Sequence, residues 1–113
     1  MVTAEAALVI PVLLAVTLTL SWAIALGAAQ VQLIDAAREG ARLAARGEPA
    51  AVVNAAVVRT GPDGVRTEVS SSGDVVTVTV HAEAGAGVPL LGELPAIVLR
   101  SQAVATVEGH GSP

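Results

Sequence analysis

Between Ala6 and Ile34 the chain carries 29 consecutive residues without one ionisable side chain, and a single carboxylate, Glu5, stands at the head of that run. No other feature restricts the fold so strongly. A bilayer core takes roughly 20 apolar residues in helical form. At about 1.5 Å per residue, Ala6 to Ala29 would reach about 36 Å, enough to cross it with some tilt. A buried core helix is the rival reading, but a helix apolar on every side must be enclosed on every side. The rest of the chain cannot do that. About 80 residues follow Ile34, rich in Ala and Gly, and the whole chain holds one Trp, one Met and no Phe or Tyr. A core without aromatic rings in so short a segment buries little area.

A cleaved secretory signal fits less well. Such peptides open with basic residues and carry a short apolar region of about 7–15 residues. Here the opening holds an acid and no Arg, and the apolar run is too long. An A-x-A-like site, Ala23-Ile24-Ala25, falls inside continuing helix. The expectation is a transmembrane segment over 6–29, with the lipid bilayer as its first partner. Pro11, two turns inside it, removes one backbone donor and is expected to kink or loosen the helix. Thr17, Thr19 and Ser21 lie too far along to satisfy the carbonyl that Pro11 frees.

The stretch QVQLIDAAREGARLAARGEP continues the helix in amphipathic form over 30–46. Asp35, Arg38, Glu39, Arg42 and Arg46 recur at spacings of three and four, with Asp35–Arg38 and Glu39–Arg42 as opposite-charge neighbours. Small residues fill two stripes: Ala28, Ala36, Gly40 and Ala44, then Ala37, Ala41 and Ala45. Such stripes let backbones approach closely, in membranes especially, although alanine is also simply a good helix former. Gly47 followed by Glu48-Pro49 is a stop. The long helix should therefore run from about Thr3 to Arg46.

Residues 47–108 read as a small α+β outer domain, and 109–113 as a flexible tail. Pro49 suits the first position of a short helix ending near Arg59. After the turn cluster TGPDG come two strands joined at Ser71-Ser72-Gly73-Asp74. Alternation is strict in the second, with Val76, Val78 and Val80 on one face and Thr77, Thr79 and His81 on the other. A third strand sets Ile97, Leu99, Ala103 and Val107 against Arg100, Gln102, Thr106 and Glu108. The fold class is α+β: a long N-terminal transmembrane and amphipathic helix, one short helix, then a three-stranded antiparallel meander packed on helix. Loop 84–95 is the most exposed apolar candidate for contact, with folding back as part of the core the equal alternative.

These pieces resemble a known family. TAEAALVIPVLL, then QVQLIDAAREGARLAARG, then a closing VLRSQAVATVEG, look like a TadE-like minor pilin of the tight-adherence (Flp-type) branch of bacterial type IV pili. The resemblance covers nearly the whole chain. AAREGAR together with AE-x-AL-x-x-P is the specific part, and either motif alone is weak. It implies a single-pass protein with an outward-facing domain at the cell membrane, the cell surface or the pilus. It implies other pilins or pilin-like subunits as partners through the N-terminal helix, and a prepilin peptidase and inner-membrane assembly proteins as processing partners.

In type IV pilins the peptidase cuts after a glycine and leaves glutamate at mature position five. By that resemblance Met1 and Glu5 are assembly residues. A free α-amino group and a carboxylate in low dielectric favour an ion pair, which would register one helix against its neighbour. Alternatively, Glu5 simply complements the positive end of the helix dipole, with Thr3 as N-cap. Two features depart from the family pattern: no glycine precedes Met1, and Arg38, Arg42 and Arg46 flank the span on its C-terminal side. Read literally, the positive-inside rule would place the domain in the cytoplasm. Three readings are open for the first: Met1 is a mature terminus, a basic leader ending in glycine precedes it, or the chain is never processed. The leader is the preferred expectation, because it would account for both.

Other chemistries find little footing. The net charge of -4 and the absence of a basic patch argue against nucleic acid as a partner. No Cys is present, so no disulfide or thiolate site exists. His81 and His110 are the sole imidazoles, Ser70–Ser72 have no base beside them, and Asp74 with Glu83 is at most a surface pair across a hairpin. GAGVPLLG lacks the lysine of a phosphate loop. The chain is expected to be no enzyme and to need no metal or cofactor. The alternative to a filament subunit is a membrane-anchored adaptor or binding module that never enters a filament.

Overall fold

The computed structural model describes residues 2–84 and 97–107. Met1, most of the 84–95 loop and the 109–113 tail lie outside the described residues, and so do Glu108 and His110. The element order is α1 (Val2–Ala45), α2 (Ala50–Thr60), β1 (Arg66–Ser72), β2 (Val75–Ala84) and β3 (Ile97–Thr106). The α+β architecture is the expected one.

α1 is 44 residues of uninterrupted helix, about 66 Å long at 1.5 Å per residue. It runs through Pro11. Thr17 and Thr19 donate to the carbonyls of Leu13 and Ala15, at 2.9 and 2.8 Å, so neither reaches the Ala7 carbonyl that Pro11 leaves without its helical donor. Thr3 lies inside the helix, and the expected N-cap role at that position does not hold. The helix ends where Gly47 adopts φ +81. Glu48 N–H then donates to Leu43 O at 3.1 Å and Gly47 N–H to Ala44 O at 3.0 Å. Those two bonds form a Schellman closure, which needs a left-handed residue at the position glycine fills.

Pro49 follows at φ -59 and caps α2 from the position just before its first turn, one place earlier than its preferred helical slot. Its carbonyl accepts from the N–H groups of Val52 and Val53. α2 then folds back along α1 and buries Val53, Ala56 and Val57.

The sheet has order β1-β2-β3, antiparallel throughout. β1 and β2 are joined by Gly73-Asp74, tighter than the four-residue turn expected. Gly73 takes φ +61, as the first position of a type II′ hairpin requires. Val76, Val78, Val80 and Ala82 of β2 face inward and are buried. With Leu33, Ala36, Ala37 and Ala41 of α1, Val57 of α2 and Val65 they form the core. Leu99, Ala103, Ala105 and Val107 pack against it from β3. The core is built from Val, Ala and one Leu, small side chains that suit short helix-to-sheet distances.

Candidate functional site

The two halves of α1 have opposite surroundings. Leu8, Val9, Ile10, Val12, Leu13, Leu14, Val16, Leu20 and Ile24 are each about half to three-quarters exposed. The most apolar window of the helix has none of its residues buried within the chain. Nine large aliphatic side chains in contact with water would each forfeit a large part of the roughly 1.5–3 kcal/mol that full burial is worth. α1 is therefore long and apolar enough to cross a membrane. Glu5 is the sole ionisable side chain of this half and is exposed in the first helical turn, where a carboxylate meets the positive end of the helix dipole.

From Leu33 onward the helix belongs to the domain. Leu33, Ala36 and Ala37 are fully buried, and Ala41 and Ala45 nearly so. The join is direct: Gln30 Nε2 donates to the Arg100 carbonyl at 3.3 Å. β3 starts at that level and runs along α1, its far end lying beside Arg38–Ala45. No linker separates the apolar half from the domain.

The small-residue stripe Ala28, Ala36, Gly40 and Ala44 divides accordingly. Ala28 is exposed, Ala36 and Gly40 are buried, and Ala44 is half-buried. Gly40 lies under Val57 and Val78. In the domain half, the close approach these residues permit is spent on the chain's own α2 and sheet, which leaves no seam there for a neighbouring helix.

Among the charged residues of this half, Arg42 donates to Glu39. That bond and the Glu39 charge raise the Arg42 guanidinium above its ordinary pKa. Asp35 and Arg38, expected to pair likewise, make no ion pair among the described residues.

The polar residues considered for chemistry stay apart. Asp74 sits in the β1–β2 turn and Glu83 near the other end of β2, about 30 Å away along an extended strand. They do not face each other across the hairpin. His81 lies on the outer sheet face between Arg66 and Arg100, its register partners on β1 and β3. Ser70, Ser71 and Ser72 are exposed at the end of β1. No cluster of three metal-ligating side chains occurs among the described residues.

Two features escaped the sequence reading. Thr67 Oγ1 is buried without a hydrogen-bond partner among the described residues; alternation places it inward, but nothing local shows that its donor goes unmet. The other is the groove between α1 and β3, which depends on packing between distant segments. Comparisons with family models, with curated proteins and with solved structures find no match.

Proposed function

We propose that the chain is a single-pass, pilin-like membrane protein, a TadE-like minor pilin or structural component of a type IV (Flp/Tad) pilus or a related secretion assembly. The apolar half of α1 lies in the bilayer and meets other pilin helices there, while the domain faces the extracytoplasmic side. One observation carries this reading. A single unbroken helix is apolar in its first half, where no residue of its most apolar window is buried and Glu5 is the one ionisable side chain, and it packs one face against its own domain in the second. A carboxylate at that depth gains most from a positive partner in low dielectric, and the α-amino group of an adjacent subunit supplies one.

The test is replacement of Glu5 by Gln or Ala. Membrane insertion should persist while pilus assembly fails; normal pili in both variants would refute the pairing role. A full-length chain that is water-soluble and monomeric without detergent would refute the membrane reading itself.

One observation favours the second reading, a membrane-anchored adaptor outside any filament: Ala36 and Gly40 are covered by the chain's own domain. Purified filaments that lack the chain, from cells that express it, would decide for the adaptor.

A further inference from the structure

β3 is an edge strand, and its outer edge opens onto a groove beside α1. Val107 N–H donates to Asp74 O at 2.7 Å, so the odd-numbered residues of β3 bond toward β2. By the alternation of an antiparallel ladder, the N–H and C=O groups of Arg100, Gln102, Val104 and Thr106 point away from the sheet. Gln30 takes the Arg100 carbonyl. Among the described residues no backbone group pairs with Gln102, Val104 or Thr106 on that side.

The groove measures about 330 Å³, with Ala103–Thr106 on one wall and Arg38, Ala41, Arg42 and Ala45 on the other. Ala41 and Ala45 line it where larger side chains would fill it. Its helical wall carries two guanidinium groups. Arg38 has no ion-pair partner among the described residues, and Arg42 has Glu39 at the exposed surface. A surface pair of that kind contributes little, so an incoming carboxylate replaces Glu39 at small cost.

We infer that this groove takes an extended acidic peptide segment of a partner protein, added to the β3 edge as a fourth strand. An open strand edge beside a helix offers main-chain hydrogen bonds for affinity and side-chain contacts along the helix for specificity. The spacing defines the sequence. Arg38 and Arg42 are four residues apart on a helix, about 6 Å along its axis. Alternate residues on an added strand are about 6.8 Å apart. Two acids separated by one residue therefore match the two arginines, each able to form a charge-assisted bond. An acid-x-acid strand is the ligand class. This proposal is independent of filament membership and of Glu5.

The experiment uses the full chain in detergent micelles and a fluorescent peptide, acetyl-Thr-Glu-Val-Glu-Val-Thr-amide, read by anisotropy. Saturable binding is expected, falling at least tenfold when both glutamates become glutamine, and again when the central valine is N-methylated to remove its strand donor. The double substitution Arg38→Gln with Arg42→Gln should weaken binding by a similar factor while leaving the far-ultraviolet circular dichroism unchanged. No saturable binding, or equal binding of the acidic and glutamine peptides, overturns the proposal. Binding that appears only after residues 108–113 are removed, or only on dilution of a self-associated chain, also overturns it. The first outcome would assign the groove to the chain's own tail, the second to another copy.

Discussion

A Cβ placed on Gly40 would sit 2.9 Å from Cγ2 of Val57 and 3.1 Å from Cγ1 of Val78. The first distance is shorter than side-chain carbons tolerate. Both valines are fully buried, so neither side chain swings aside at low cost. Glycine at this point of α1 sets how closely α2 and the sheet approach.

Gly40→Ala should therefore destabilise the domain even though alanine is the better helix former. Propensity favours the change by about 1 kcal/mol; overpacking opposes it by about 1–3 kcal/mol. A net loss of about 1 kcal/mol is expected from denaturant unfolding in micelles. Gly27 is the control, since nothing lies within 4 Å of a Cβ there, and Gly27→Ala should not lose stability. Equal responses at the two positions would mean that the Gly40 contact is not tight.

Gly47 tests a different property. Its φ of +81 is left-handed, and a Cβ there would meet no neighbour within 4 Å. Any penalty is then backbone strain alone. Gly47→Ala should cost about 1 kcal/mol and Gly47→Asn clearly less, because asparagine tolerates that conformation. Measured by the same unfolding midpoint, asparagine no better than alanine would argue against the left-handed closure.

The stop at Gly47-Glu48-Pro49 illustrates what the sequence makes legible: a local conformational demand with one residue type to meet it. The valine alternation of β2 is legible for the same reason, since period two leaves one face apolar, and Val76, Val78 and Val80 are all buried. Ala36 and Gly40 show the limit. Their spacing reveals a face made for close approach but not whether the partner is another chain or the chain's own α2. That choice rests on contacts between segments far apart in sequence. The groove beside β3 stayed hidden likewise, because a meander implies β3 at the sheet edge but not where α1 lies against that edge.

Thr67 carries the buried hydroxyl that has no partner among the described residues. Leaving a buried donor unmet costs about 1–3 kcal/mol, and valine keeps nearly the same shape. Thr67→Val is expected to raise stability by about 1 kcal/mol, in contrast to most inward-facing substitutions. A loss of similar size would reveal that the hydroxyl is bonded in solution, by water for example.

Leu14 and Val58 offer the sharpest test of where α1 lives. Within the chain they are equally open, 55% and 56% exposed, one in the apolar half of α1 and the other on the outer face of α2. The chain has no cysteine, so Leu14→Cys and Val58→Cys each introduce one thiol, in surroundings the protein leaves comparably accessible. Any difference in reactivity toward a membrane-impermeant maleimide then comes from lipid. In vesicles sonicated with the reagent present, so that it is trapped inside as well as outside, Val58→Cys should label at least about tenfold faster than Leu14→Cys, because a thiol in the hydrocarbon core meets neither water nor reagent. In a denaturing detergent, which dissolves the bilayer and unfolds the chain, the two rates should converge. Rates within about twofold in intact vesicles would place Leu14 in water, and with it the exposed aliphatic face on which the membrane reading stands.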